Sequence, residues 1–283
     1  MSMQLTSGCK VNLYLRIGEL LPSGYHPLET VFIPLPTPCD ILTVKALPSG
    51  FQVVCNHPHI DPLNNTLTKA FSLYTSHRPL SQGVQVNLQK HVPMGGGLGG
   101  GSANAAVLLE YLQSLPANTP PLPHDTLMSI AAQVGADVPF FLTQGWQKAT
   151  GIGEVLAPYS HSFAGYCLVL ICPEIPVSTA WAFKELDSLR KINTKKQSNH
   201  LTTPTHHDST SSSQAGSFQN DFEEVVFKAH PELKKVKELL LHHGAEIALM
   251  SGTGSSLFGI FKKADFAQKF MDKCLYKVYL HNL

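Results

Sequence analysis

Apolar and polar residues alternate from Val11 onward. Val11, Leu13, Leu15 and Ile17 share one face of an extended segment, with Lys10, Asn12, Tyr14 and Arg16 on the other. Pro22-Ser23-Gly24 predicts a turn, after which Glu29 to Ile33 resumes as a strand. Thr66 to Tyr74 has helical spacing, and Val84, Val86 and Leu88 alternate with Gln85, Asn87 and Gln89 as another half-buried strand. From Ala103 to Leu115 the chain is rich in Ala and Leu, which predicts a helix capped by Ser102. A further helix runs from about Asp125 to Val134 and stops at Gly135. Trp146 to Leu156 reads as a hairpin turning at Gly151-Ile152-Gly153. Leu168 to Cys172 is a continuous apolar run of the kind that forms a buried strand, and a helix from Ser178 to about Leu189 follows it.

Between about Ser188 and Ser217 the periodicity disappears and Lys, Ser, Thr, Asn and His dominate, which predicts a mobile surface insertion. Order then returns with helices near Asp221 to Lys228 and Glu232 to His242 and a strand from Ile247 to Met250. A small-residue turn from Ser251 to Ser256, a strand Leu257 to Phe261, a helix Asp265 to Cys274 and a strand Lys277 to Leu280 close the chain. Mixed strands and helices without a repeat parse as two α+β domains, residues 1–160 and 161–283.

One segment departs from every periodic pattern. Pro93-Met94-Gly95-Gly96-Gly97-Leu98-Gly99-Gly100-Gly101-Ser102 places six glycines around one leucine, between a predicted strand and a predicted helix. A backbone with so few Cβ atoms can adopt positive φ and let a ligand lie against it. Its N–H groups can form a nest, and the following helix adds its positive end, so the run points to a nucleotide phosphate site. No Gly-Lys-Ser/Thr closes it, which excludes a Walker A loop, and no acidic residue ends a second strand where the dinucleotide fingerprint needs one. A flexible linker would have polar flanks, whereas these are apolar and periodic.

Composition narrows the class. The 283 residues are 43% hydrophobic and 14% charged with a formal net charge of +1, enough to build a core and too balanced for general nucleic-acid or anionic-membrane binding. Asn12 and Arg16 interrupt the amino-terminal apolar stretch, which fits neither a signal peptide nor a spanning helix. The six cysteines are scattered and read as reduced thiols of a cytoplasmic protein. Among fourteen histidines, the adjacent pairs His206-His207 and His242-His243 cannot share a helix face, and no protein-held metal is expected.

Four places are candidates for chemistry. Lys10 and Asn12 leave the same strand face ~7 Å apart, an arrangement that simple solvent exposure also explains. Asp137 is a lone carboxylate in apolar sequence, Gly135-Ala136-Asp137-Val138-Pro139-Phe140-Phe141-Leu142; it reads as the N-cap of a helix starting near Pro139, as a carboxylate beside a substrate hydroxyl, or as both. Ser251-Gly252-Thr253-Gly254-Ser255-Ser256 is either a hairpin turn or a backbone that closely approaches a ligand or the first glycine loop. Tyr25 and His26 pair an aromatic ring with an imidazole that could receive a heterocyclic base.

Together these segments resemble the kinase superfamily of galactokinase, homoserine kinase, mevalonate kinase and phosphomevalonate kinase. The resemblance rests on the strand around Lys10, on Pro93 to Ala106, and on Ser251 to Gly254. Lys10-Val11-Asn12-Leu13, Gly24-Tyr25-His26-Pro27-Leu28, the Asp137 segment and Asn220-Asp221-Phe222-Glu223 are most similar to the branch acting on a diphosphocytidyl methylerythritol, and the Gly-Glu-His of sugar and mevalonate kinases is missing. The resemblance implies an N-terminal ribosomal-protein-S5-domain-2-like α/β sandwich, a C-terminal ferredoxin-like α+β domain and an active site in the cleft between them. It implies ATP, with Mg²⁺ carried by the nucleotide, and a small alcohol substrate bearing cytidine diphosphate. A bacterial or plastid-type cytoplasmic enzyme, monomeric or a weak homodimer, is expected, without nucleic-acid or membrane partners. Another alcohol kinase of the superfamily, or a non-catalytic nucleotide-binding protein, is the alternative.

Carried over by position, Asp137 would be the catalytic carboxylate, Lys10 its cationic neighbour, and Asn12 a substrate-holding amide. Tyr25 and Phe183 would sandwich the cytosine, with His26 on its edge and Thr179 lining the same pocket. Pro93, Gly95, Gly96, Gly97, Leu98, Gly99, Gly100, Gly101 and Ser102 would wrap the phosphates, Asn65 and Lys90 would sit by the adenosine, and Gly252 would face the phosphates. Ala103 stands where many relatives carry a second hydroxyl, which leaves Ser102 as the side-chain oxygen there.

Overall fold

The alternating segments become two sheets, and the helically spaced ones pack on them. The computed structural model describes residues 2–198 and 218–283. In chain order the first elements are β1 (Ser2–Ile17), β2 (Leu28–Leu47), β3 (Phe51–Cys55), α1 (Thr66–His77), β4 (Gly83–Gln89), α2 (Gly100–Ser114), α3 (His124–Val134), the short α4 (Val138–Phe141), β5 (Gln147–Thr150) and β6 (Val155–Pro158). They are followed by β7 (Cys167–Cys172), α5 (Thr179–Ser198), α6 (Glu223–Ala229), α7 (Pro231–His242), β8 (Ile247–Met250), β9 (Leu257–Phe261), α8 (Ala264–Met271) and β10 (Lys277–Asn282). The chain divides into two compact units. One comprises Met1–Asn12, Ile17–Met94 and Leu98–Ala164, the other Leu13–Arg16, Gly95–Gly97 and Gly165–Leu283.

In the first unit the sheet order is β3-β4-β2-β5-β6, with β1 pairing β2. The β4 residues Val86 and Leu88 stand opposite Val44 and Leu42 of antiparallel β2. These four belong to one buried cluster with Leu67, Ala70 and Tyr74 of α1, Leu108, Leu109 and Leu112 of α2, and Leu127 and Ile130 of α3. Each such Leu or Ile contributes roughly 1.5–3 kcal/mol by leaving water. Ala105 and Ala106 are fully buried in the same cluster, small residues that let α2 lie close to its neighbours.

The second unit carries a four-stranded antiparallel sheet, β10-β7-β9-β8. All of β7 and β9 is buried, so the continuous apolar runs Cys167–Cys172 and Leu257–Phe261 are central strands. Among the described residues, no helix is long and apolar enough to cross a membrane.

Four expectations need correction. Strand β2 does not end at Ile33 but runs to Leu47: Pro34 and Pro36 fall on its exposed side, where a missing N–H is tolerated, while Leu35 between them is buried. Ser102 does not cap α2. The N-cap is Gly99 at φ +69, and Ser102 lies in the first turn. Gly135 does end α3, but with an extended backbone at φ −176 and not a left-handed one. Helix α5 continues to Ser198, so the insertion expected from about 188 begins as helix; residues 199–217 of it lie outside the described residues.

A buried cation closes the helical layer of the first unit. Arg78, 3% exposed, donates to the carbonyl oxygens of Leu112, Leu115, Thr119 and Pro120 and to the Tyr74 hydroxyl. The carbonyl end of α2 is the negative end of its dipole and offsets the guanidinium charge. Arg78→Met keeps the stem but leaves these acceptors without donors. It is expected to lower the unfolding free energy by about 3 kcal/mol in urea titration.

Candidate active site

Strand β1 brings Lys10 and Asn12 onto one face, and both are almost completely buried, at 4% and 3% exposure. Simple solvent exposure is thereby ruled out. A lysine in such a place needs partners, because an unmatched buried ammonium costs several kcal/mol. Lys10 Nζ donates to Asn12 Oδ1 at 2.7 Å, and Asn12 Nδ2 donates to Thr30 Oγ1 of β2 at 2.9 Å. Asp137 Oδ2 lies 3.5 Å from Lys10 Nζ. The ammonium also stands 5.1 Å from the centre of the Phe32 ring, a favourable cation–π placement.

Asp137 occupies the residue before α4 without capping it: its side chain accepts no hydrogen bond from that helix. Of its two readings, the N-cap survives only as a position. The carboxylate, about a third exposed, is directed to Lys10.

The start of α2 shares this neighbourhood. A Cβ at Gly99 would lie 3.2 Å from Lys10 Cε and 3.2 Å from the Phe141 ring, and the Lys10 N–H donates to the Leu98 carbonyl at 3.0 Å. At Gly100 a Cβ would meet Val92 Cγ1 at 2.8 Å and Lys90 Nζ at 3.1 Å, so glycine is required. The Thr66 hydroxyl donates to the Gly101 carbonyl at 2.9 Å. No acidic residue occupies the first turn of α2. The positive end of this helix thus has one lysine stem against Gly99 and another ammonium against Gly100, an arrangement suited to an anion.

In the second unit, three consecutive glycine carbonyls are occupied. Gly95 O accepts from Val177 N at 3.4 Å, Gly96 O from Ser256 N at 3.2 Å, and Gly97 O from the Ser251 hydroxyl at 3.0 Å. A Cβ at Gly97 would fall 2.0 Å from the Ser251 carbonyl oxygen, and one at Gly252 3.0 Å from Gly97 O. The small residues from Ser251 onward therefore exist for close approach to the glycine run and not merely to turn a hairpin. Asn220 supports that turn by donating to the carbonyls of Met250 and Gly252 at 2.7 and 2.8 Å. Thr179 Oγ1 is 3.2 Å from Thr253 Oγ1, and Phe183 packs edge-on to Phe222 with ring centres 4.8 Å apart.

Tyr25 and His26 belong to the first unit. Tyr25 is 60% exposed, while the His26 ring is buried with Nδ1 3.0 Å from the Gly18 carbonyl oxygen. Asn65 is the N-cap of α1: its oxygen accepts from Thr68 N, and its amide nitrogen donates to Asp61 O and Pro62 O. Lys90 pairs with Asp40, and Pro93 is half-buried. Thr30 and Asp40 were not anticipated. Asp40 carries the same signal as Asp137, a lone carboxylate in apolar sequence, but it lies beyond Ile33, the expected end of the strand. Among the described residues, no group of three His, Cys, Asp or Glu side chains is placed to hold a metal.

Residues 65–145 match the GHMP kinases N terminal domain, and residues 207–278 match the GHMP kinases C terminal. A 4-diphosphocytidyl-2-C-methyl-D-erythritol kinase of Nitratidesulfovibrio vulgaris is 43% identical over 269 residues, covering 94% of this chain and 93% of its own. The protein of that name from Lawsonia intracellularis is 41% identical, with 93% and 89% covered. A crystal structure of 4-(cytidine 5'-diphospho)-2C-methyl-D-erythritol kinase superposes with a TM-score of 0.73 at 28% identity, covering 98% of both chains. Homoserine kinase from Cytophaga hutchinsonii shares the fold at a TM-score of 0.67 and 17% identity, with 98% of this chain and 93% of its own covered. With full-length similarity of this order, the chain belongs to the 4-diphosphocytidyl-2-C-methyl-D-erythritol kinase family of the GHMP kinases.

Proposed function

We propose that this protein transfers the γ-phosphoryl group of ATP to the 2-hydroxyl of 4-diphosphocytidyl-2-C-methyl-D-erythritol, giving the 2-phosphate and ADP. The observation that carries the reading is the Lys10–Asp137 pair, 3.5 Å apart, with the Lys10 stem against Gly99 at the positive end of α2. A phosphate seated on that helix end would have both an ammonium and a carboxylate within reach, as alcohol phosphorylation requires.

Phosphoryl transfer asks the protein mainly for position and charge stabilisation. The attacking hydroxyl must lose its proton as the new P–O bond forms. Asp137 is the group to receive or orient that proton, and the Lys10 ammonium stabilises the charge that develops on the oxygen. Asn12 and Thr30 set where that ammonium stands, since the lysine donates to Asn12 Oδ1 and Asn12 donates to Thr30. The glycine run presents amide N–H groups to the phosphates. With the carbonyls of Gly95, Gly96 and Gly97 already bonded, we assign the N–H groups of the run to the phosphates. Mg²⁺ carried by the nucleotide as part of the substrate would supply charge neutralisation; Ala103 is buried and offers no side-chain oxygen, so Ser102 is the hydroxyl this turn contributes.

For the cytidine we assign Tyr25 and His26 in the first unit and Thr179 and Phe183 in the second, on the family resemblance. An exposed Tyr25 ring has a face free to stack on a base, and the His26 ring, held at Gly18 O, has a fixed orientation. Asn65 is assigned to the adenosine side through the helix end it caps, and Lys90 through its ammonium against Gly100.

Asp137→Asn is expected to lower kcat by ~10²-fold or more with nucleotide affinity nearly intact, measured by coupled ADP release. Activity within about threefold of wild type would remove Asp137 from the mechanism. Tyr25→Ala and, separately, Phe183→Ala should each raise KM for the diphosphocytidyl alcohol by about tenfold and leave KM for ATP unchanged. Assays with mevalonate and homoserine beside it decide the substrate: faster turnover of either would overturn the assignment.

A further inference from the structure

Asp40 is fully buried, 0% exposed, on a strand whose neighbours Ile41 and Leu42 serve the sheet and its core. A carboxylate in such a place costs several kcal/mol unless every lone pair is matched. Here it is matched by four donors. The main-chain N–H groups of His91 and Val92 donate to Oδ1 at 2.7 and 2.8 Å. The Lys90 ammonium and the Asn104 amide donate to Oδ2, the latter at 2.9 Å.

The donors are not scattered. Residues 90–92 lead into the glycine run, and Asn104 follows it in the first turns of α2. A single carboxylate therefore grips the segment on both sides of residues 93–103. Asn104 gives up something for this: its Oδ1 is buried without a hydrogen-bond partner, an arrangement that the fold alone would not favour over an apolar side chain. The same grip fixes the Lys90 ammonium beside Gly100, and the Lys90 N–H is tied separately to Asn56 Oδ1 at 2.8 Å.

We propose that Asp40 is a positioning residue for the nucleotide, which acts through Lys90 and the two ends of the glycine run to hold the phosphate-binding backbone in its ligand-ready form. This rests on the phosphotransfer reading for its choice of ligand, ATP, but not on which alcohol is phosphorylated. Without the grip, part of the binding free energy of ATP would go into ordering the segment, so the loss should appear in nucleotide affinity and not in the chemical step.

Asp40→Asn retains an acceptor for His91 and Val92 but presents an amide nitrogen, which cannot accept, to Lys90 and Asn104. Its KM for ATP, and its Kd for ATP by calorimetry without the alcohol, are expected to rise by about tenfold with kcat within about twofold. Lys90→Met should raise both by a similar factor, and the double variant Asp40→Asn/Lys90→Met should fall well short of the product of the two single effects, because the two residues share one contact. Multiplying effects in the double variant would overturn action through Lys90. A lowered Tm with unchanged ATP affinity in the folded fraction would make Asp40 merely structural and would also overturn the proposal. Should Asp40→Asn not fold, Asn104→Leu removes one donor of the grip; about a threefold weaker Kd for ATP is expected, and an unchanged value counts against the inference. Turnover of a different alcohol would overturn the substrate assignment and leave this one standing.

Discussion

The positive end of α2 carries no acidic residue in its first turn, and two lysines are brought against it, Lys10 at Gly99 and Lys90 at Gly100. Like charges gathered at a helix N-terminus destabilise a fold unless something offsets them. Each lysine is accordingly given its own carboxylate, Asp137 for Lys10 and Asp40 for Lys90. Much of the first unit follows from satisfying this arrangement: the length of β2, which carries both Thr30 and Asp40; the polar face of β1; and the absence of Cβ atoms where the lysines pass. A nucleotide phosphate is the ligand that would complete the charge balance from outside.

Several separate requirements overlap under the one composition of the glycine run. At Gly97 and Gly100 neighbouring atoms leave no room for a side chain, and at Gly95, Gly97 and Gly99 the backbone is at φ +66, +74 and +69. Gly95, Gly96 and Gly97 give their carbonyls to fixed donors, which aligns the remaining amides. A flexible tether would need neither the steric exclusion nor the bonded carbonyls. The residues from Ser251 to Ser256 complete the same construction, and their smallness is explained by Gly97 lying against them.

Where a short apolar run is bounded by turn residues, the amino-acid pattern determined the element: Ile247–Met250 and Leu257–Phe261 are strands with those limits, and α3 stops at Gly135. It failed where tertiary context overrides local chemistry. Proline at alternate positions is a strand breaker by propensity, yet at 34 and 36 it sits on the exposed side of β2 and does no harm. Ser102 is the better capping residue, but Gly99 reaches the left-handed backbone that the loop demands, and the helix starts there. The polar face of β1 was ambiguous for a different reason. Period two says which residues share a face, not whether that face meets water, and the burial of Lys10 and Asn12 depends on Thr30 and Asp137, distant in sequence. Asp40 was readable by the argument that picked out Asp137, once β2 is allowed to continue past its prolines.

The two ion pairs look alike in a list of contacts but differ in one respect that assigns their work. Asp137 keeps 31% of its side chain exposed, whereas Asp40 keeps none. A carboxylate that must meet a substrate hydroxyl needs an open side, and it can then accept a proton without breaking the structure around it. A carboxylate with four donors and no exposure can do neither, since a proton on either oxygen would stand where two donors already point and would remove the charge that offsets the Lys90 ammonium. On the proposed reading, chemistry belongs to the Lys10 side of the helix end, and the Lys90 side is left to hold the backbone still. Exchanging the two environments would defeat both functions. An open Asp40 would let the glycine run loosen, and a sealed Asp137 would put the proposed base out of the alcohol's reach.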